Sequence, residues 1–147
     1  MKSQSYKDLL VWQKSIDLSV TVYEACSSFP GSELYGLADQ MKRAAVSVPS
    51  NIAEGQARQH LAEFLHFLSI AAGSLAELDS QRIVAEKLRL LSAEQSQKLD
   101  HSITEVRKMI FSLRSSLKLK TENRKPKTEN WWASEYLDPP YKDLDQP

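Results

Sequence analysis

Apolar residues recur at helical spacing in four stretches of the chain. Leu9, Trp12, Ile16, Val20 and Tyr23 are three and four apart, which predicts one face of a helix over roughly 6–27. Phe29-Pro30-Gly31-Ser32 interrupts it, and Ser32 followed by Glu33 supplies a cap and a first-turn acid for a second helix. That helix runs to about Arg58 on a stripe of Leu37, Met41, Ala44, Val48 and Ile52. Pro49 lies inside it and predicts a kink near Ala45–Pro49, because proline has no N–H and crowds the carbonyl four residues back. Gly55 is expected to loosen the last turn. A third stretch from His60 to Leu90 carries Leu61, Phe64, Leu65, Leu68, Ala72, Leu75 and Leu78. Its small run Ala71-Ala72-Gly73-Ser74 would let a neighbouring helix come close. Ser92 and Gln95 form a capping-box pair that opens a fourth helix. There Leu99, Ile103, Val106, Ile110, Leu113 and Leu117 alternate spacings of four and three, a heptad seam.

No proline falls between Pro49 and Pro126, and no glycine follows Gly73. No stretch alternates apolar and polar residues as a half-buried strand does. Short turns between long amphipathic helices predict an all-α, up-down-up-down four-helix bundle over residues 1–120. Residues 121–147 are expected to be a polar linker and a tail. Lys120-Thr121-Glu122-Asn123 recurs as Lys127-Thr128-Glu129-Asn130, with no apolar face. Trp131, Trp132, Tyr136, Leu137 and Tyr141 follow, before a proline-containing acidic end. These aromatics suit docking into a groove of the same or a neighbouring subunit, or a partner-binding segment.

The second helix has a further pattern. At ~100° per residue, Gln40, Arg43, Ser47, Asn51, Glu54 and Arg58 form a polar seam beside the core stripe. The far side holds Val46, Pro49, Ala53 and Ala57, where a solvated helix would carry charge. The seam could be satisfied inside one bundle, buried between subunits, or used as a ligand surface. The subunit interface is the favoured expectation.

Charge changes the picture of partners. Lys plus Arg and Asp plus Glu both number 19, so the formal net charge is zero. Residues 1–120 carry +2 and residues 121–147 carry −2. This is not the basic excess of a protein that lives on phosphate attraction. On the fourth helix Arg107, Arg114 and Lys118 share a face with Phe111, which admits weak nucleic-acid contact. Cations near a helix C-terminus are also favoured by its dipole.

Catalytic chemistry finds little support. Glu63 and His66 make one Glu-x-x-His pair, but a di-iron bundle needs two such pairs, and His60 and His101 have no partner acid three residues earlier. Cys26 is the sole cysteine and lies near a helix C-terminus, which raises rather than lowers a thiol pKa. No Gly-x-Ser-x-Gly elbow is present. No catalytic residue, metal or cofactor is expected. No run approaches 18 apolar residues and the start has no apolar signal core, so a cytoplasmic protein without membrane contact is expected.

Four motifs carry a resemblance. Tyr6-Lys7-Asp8-Leu9-Leu10-Val11-Trp12-Gln13-Lys14, then Phe29-Pro30 with Glu33-Leu34-Tyr35-Gly36-Leu37, resemble the opening and first turn of the proteins encoded within 23S rRNA intervening sequences. Gln40-Met41-Lys42-Arg43-Ala44-Ala45-Val46-Ser47-Val48-Pro49-Ser50-Asn51-Ile52-Ala53-Glu54-Gly55 resembles that family's most specific signature, and Gly73-Ser74-Leu75-Ala76-Glu77-Leu78 a further one. The resemblance covers about residues 5–118. It implies a left-handed four-helix bundle, a ring-like homopentamer and no known enzymatic activity. A related group serves as accessory proteins of diversity-generating retroelements, strongly basic and binding nucleic acid and a polymerase. This bundle lacks their basic excess. The expected function is therefore a non-enzymatic, homo-oligomeric assembly or interaction module. The alternative is a nucleic-acid-binding accessory factor.

Overall fold

The computed structural model describes residues 5–33 and 36–122. They form four α-helices and two short 3-10 turns, with no strand among the described residues. The helices are α1 (Leu10–Cys26), α2 (Leu37–Ala57), α3 (Leu61–Lys87) and α4 (Ala93–Glu122). Each packs against its neighbour in the chain, and α1 closes the ring against α4. The result is the expected up-and-down bundle. The tail residues Trp131, Trp132, Tyr136, Leu137 and Tyr141 lie outside the described residues.

Local chemistry sets the ends. Ser5 and Asp8 cap each other reciprocally, so the chain makes a 3-10 turn at Tyr6–Asp8 and α1 begins only at Leu10. Ser32 sits in a second 3-10 turn, Gly31–Glu33, and does not cap α2; Gly36 occupies that position. The capping box at Ser92 forms, with both of its hydrogen bonds to Gln95. α2 and α3 both end on a left-handed residue that is not glycine, Gln59 and Arg89. A sharp helix end is therefore possible in a region without glycine, at a modest conformational cost.

The core follows the sequence pattern on α2 and α4 and in part on α3, where Leu61, Phe64, Leu65 and Ala72 are only half-buried and Ala71 is buried in their stead. Met41, Ala44, Val48 and Ile52 are buried, as are Leu68, Leu75 and Leu78, and Leu99, Ile103, Val106 and Ile110. On α1 the pattern misleads. The buried face is Val11, Ser15, Leu18, Ser19, Val22, Ala25 and Cys26. The larger residues Trp12, Ile16, Val20 and Tyr23 instead wall a groove beside α2. α1 is apolar on two faces, and periodicity alone does not say which one turns inward.

The Ser15 hydroxyl donates to the Trp12 carbonyl within α1, whereas Ser19 on that inner face is explained by Pro49. α2 continues through it, so the carbonyl of Ala45 has no amide donor from position 49. Ser19 of α1 donates its hydroxyl to this oxygen at 3.1 Å, sharing the proton with Ser15 at 3.0 Å. On the other side of α2, Ser47 and Ser74 join at 2.8 Å. Gly55 governs the approach there. A Cβ on it would sit 2.6 Å from Cβ of Phe67 and 3.0 Å from the Phe64 ring. So Gly55 permits contact rather than loosening the turn, whereas Gly73 faces open space.

A methyl group at Gly55 must displace α3. Gly55→Ala is expected to destabilise the fold by about 1–3 kcal/mol, the usual range for overpacking. Gly73→Ala should be neutral or stabilising, since helical glycine carries a cost of ~1 kcal/mol against alanine. Thermal denaturation followed by circular dichroism of the two variants checks the contrast.

Candidate functional site

The polar seam of α2 divides into three parts. Gln40 and Arg43 are exposed, and Arg43 pairs with Asp39 at 3.0 Å with 80% of its side chain in solvent. Ser47 and Asn51 are half-buried against α3: Asn51 donates to the Ser47 carbonyl at 2.7 Å and to its hydroxyl at 3.0 Å. Glu54 and Arg58 form a half-exposed ion pair at 2.9 Å, with Glu63 of α3 3.8 Å away. The Arg58 guanidinium also lies over the Phe67 ring at 5.4 Å. Glu54 and Glu63 hold the Arg58 pKa above its ordinary value. Within one chain only the middle of the seam is sequestered.

Beside the seam lies the outward face of α3. Ile70, Gly73, Ala76, Ser80, Ile83 and Val84 are all exposed, and from Ala62 to Val84 the single exposed charged residue is Glu77. α3 is long and apolar enough to cross a membrane by length and composition alone, yet only 22% of its most apolar stretch is buried in the bundle. The opposite flank of α2 forms the second apolar surface. A groove of about 620 Å³ runs between α1 and α2, lined by Tyr6, Trp12, Ile16, Val20, Tyr23, Val46, Pro49 and Ala53 among others. Tyr6 and Trp12 meet edge to face at 5.4 Å at its lower end, and Lys42 sits over Tyr23 at 5.0 Å at its upper end.

The basic face of α4 is less open than its sequence suggests. Arg107 is exposed, but Arg114 and Lys118 are half-buried. Nε of Arg114 is buried without a hydrogen-bond partner among the described residues. Burial, and then the neighbouring Arg114, push the Lys118 pKa down. Phe111 is exposed between them.

One buried polar cluster escaped the sequence reading. Arg82 of α3, its side chain 11% exposed, reaches Asp79 at 2.8 Å, Glu86 at 3.5 Å and Asp100 of α4 at 3.3 Å. It also donates to Ser96 at 2.9 Å, and Ser96 donates to Glu86 at 2.7 Å. Acids three before and four after an arginine were the available signal. The partners from α4 could not be seen without the fold. The cluster ties α3 to α4.

Cys26 is fully buried, and its burial pushes the thiol pKa up, opposed in part by Lys42. It is poorly placed as a nucleophile. His60, His66 and His101 are all exposed. No group of three metal-ligating side chains occurs among the described residues.

Fold and surfaces together define an up-and-down helical bundle with outward apolar faces and no assembled catalytic constellation among the described residues. The chain belongs to the 23S rRNA-intervening sequence protein family, which matches residues 7–112. A similar solved structure is a protein of unknown function from the S23 ribosomal protein family of Bacteroides thetaiotaomicron VPI-5482. It shares 23% identity over 74% of this chain and 98% of its own, with a TM-score of 0.69. That likeness bears on the fold. Among curated proteins, none matches.

The three carboxylates around Arg82 are each at least one-third exposed, so removing the arginine does not strand a buried charge. Arg82→Ala is expected to lower stability by about 1–3 kcal/mol through lost charge-assisted hydrogen bonds and packing. Urea denaturation checks it, and Arg82→Lys should recover only part of the loss because one ammonium cannot serve four partners.

Proposed function

We propose that the protein is a non-enzymatic bundle that assembles with copies of itself through the outward face of α3, and acts as an assembly or interaction module. The observation that carries this reading is the outward face of α3, where Ile70, Ile83 and Val84 are exposed and Glu77 is the one exposed charged residue between Ala62 and Val84. Contiguous apolar surface of this kind is uncommon on a monomer and marks interaction sites. Insertion of α3 into a lipid bilayer would require tearing Leu68, Leu75 and Leu78 from the core and Arg82 from its carboxylates. A second copy covers the same face without that cost. The seam residues Gln40 and Arg43 flank this face, since Ser47 on the same side of α2 touches Ser74 of α3. They would supply the polar rim of the interface. A ring of five copies is the stoichiometry that the resemblance in the motifs supports.

Light scattering of the full chain is expected to give several times the 16.7 kDa subunit mass, near five subunits. Ile83→Lys with Val84→Lys should lower it to the single subunit while helicity is kept, because both side chains are exposed in the bundle. A wild-type mass of 16.7 kDa at tens of micromolar would overturn the reading.

The second reading, a nucleic-acid-binding accessory factor, rests on the Arg107, Phe111, Arg114 and Lys118 face. Two of its three cations are half-buried, which limits how many phosphates one chain can neutralise. Weak or undetectable binding to duplex DNA and structured RNA is expected at about 0.15 M salt, where surface charges are screened beyond ~8 Å. Submicromolar binding at that salt, lost in Arg107→Glu plus Arg114→Glu, would make this the leading reading.

A further inference from the structure

The groove between α1 and α2 is a second apolar surface, on the flank of α2 opposite the one beside α3. We infer that it is a docking site for the chain's own aromatic segment, residues 131–141. Tyr6, Trp12, Val20, Tyr23, Val46 and Ala53 line it. Val20, Tyr23 and Val46 remain 52%, 49% and 41% exposed, so the apolar walls of the groove are only partly covered within the bundle. Something with apolar and aromatic side chains fits there.

The segment has the matching chemistry. Between 131 and 141 the chain places Trp131, Trp132, Tyr136, Leu137 and Tyr141 around Pro139-Pro140. Paired prolines favour extended polyproline II backbone, and aromatic-lined grooves are the usual receivers of such segments. Tyr6 and Trp12 offer ring edges and faces, which attract further aromatic rings beyond the area they bury.

Reach agrees. Lys14 of α1 pairs with Glu105 of α4, and Leu9 and Leu10 lie beside Met109 and Leu113, so the two helices run antiparallel. α4 ends at Glu122, on the side of the bundle where Tyr6 and Trp12 close the groove. From Met109 to Glu122 is roughly 20 Å of helix. Residues 123–130 can span about 27 Å when extended, enough to turn back to the lower end of the groove. Tethering also favours this occupant over a second copy. A short linker holds the segment at millimolar effective concentration, well above any micromolar supply of another chain.

The test uses the full chain with Trp12→Phe, so that Trp131 and Trp132 are its only indoles. Their emission is expected to be blue-shifted, and quenching by acrylamide reduced, relative to a synthetic peptide of residues 123–147. Val46→Glu, or separately Ala53→Glu, should return both readings to the peptide values with helical circular dichroism unchanged. Emission equal to the peptide's overturns the proposal, as does emission that neither variant alters. Loss of the shift on Leu10→Glu but not Val46→Glu places the segment on the α1–α4 surface and also overturns it. A fall in assembly mass on Val46→Glu with unaltered emission shows that a second copy covers the groove instead. A shift that vanishes in the dissociated Ile83→Lys plus Val84→Lys variant places the segment on a neighbouring copy and overturns docking within the chain. A wild-type mass of one subunit leaves the emission result standing, so the two proposals fail separately.

Discussion

A helix cannot keep a buried carbonyl without a donor, and Pro49 gives α2 one such carbonyl, at Ala45. The hydroxyl of Ser19 on α1 meets it. Losing a partner for a buried acceptor costs about 1–3 kcal/mol, whereas the bond itself contributes about 1 kcal/mol net. The contact therefore acts mainly as a constraint on where α1 can lie. It must cross α2 with a small polar residue at hydrogen-bond distance from position 45. Ser15 is buried on the same face with its hydroxyl donating to the Trp12 carbonyl within α1, while the requirement itself puts Ser19 inward. It turns Trp12, Ile16, Val20 and Tyr23 toward the flank, where they wall the groove. On the opposite flank Gly55 and the Ser47–Ser74 bond set an equally close approach to α3. α2 is thus held closely on two sides, through Ala45 and through Gly55 and Ser47; Leu18 of α1 and Leu68, Leu75 and Leu78 of α3 fill the core, while Val20 and Tyr23 of α1 and Ile70, Ile83 and Val84 of α3 stay exposed.

That geometry explains what could and could not be read from the sequence. The heptad of α4 points inward because one face of that helix carries the large apolar residues, and the stripe of α2 does so because Met41, Val48 and Ile52 outweigh the smaller Val46, Pro49 and Ala53 on its other apolar side. The Ser92–Gln95 box was legible because capping is local, completed within four residues. On α1 two faces compete, and the larger residues point to the wrong one. The inner face contains Ser19, whose use depends on a proline in another helix. The glycines are hard to read for a related reason. Gly73 sits in a small-residue run but faces open space, while the isolated Gly55 meets Phe64 and Phe67 across the α2–α3 contact. The half of the Arg82 cluster that comes from α4 lies 14 and 18 residues away along the chain. Periodicity sees one helix at a time; these features belong to pairs of helices.

The α2 seam follows the same division. Ser47 and Asn51 satisfy each other and Ser74, a role that needs no ligand. Glu54 and Arg58 close the α2–α3 turn by an ion pair that is half in water, and such pairs contribute little. Gln40 and Arg43 are left with side chains in solvent. A seam read as one stripe is therefore structural in its middle and available at the α2 N-terminal end, next to an α3 face almost free of charge. Specificity of assembly is better served by that mixture than by apolar area alone, since polar groups at a rim fix register.

The same reasoning weighs the two functional readings against each other. Affinity for nucleic acid grows with the number of phosphates neutralised by cations that are free to reach them. On α4 packing has drawn Arg114 and Lys118 partly out of water and set them against each other, which is why the lysine gives up its proton more readily than usual. A cation with a lowered pKa is being penalised for its charge in the folded chain. A phosphate would relieve that penalty only if it could enter beside a half-buried guanidinium. An apolar surface faces no such conflict: covering Ile83 and Val84 releases water from both partners and asks nothing of the charges around them. This difference in cost is the physical ground for proposing protein contacts ahead of nucleic-acid contacts.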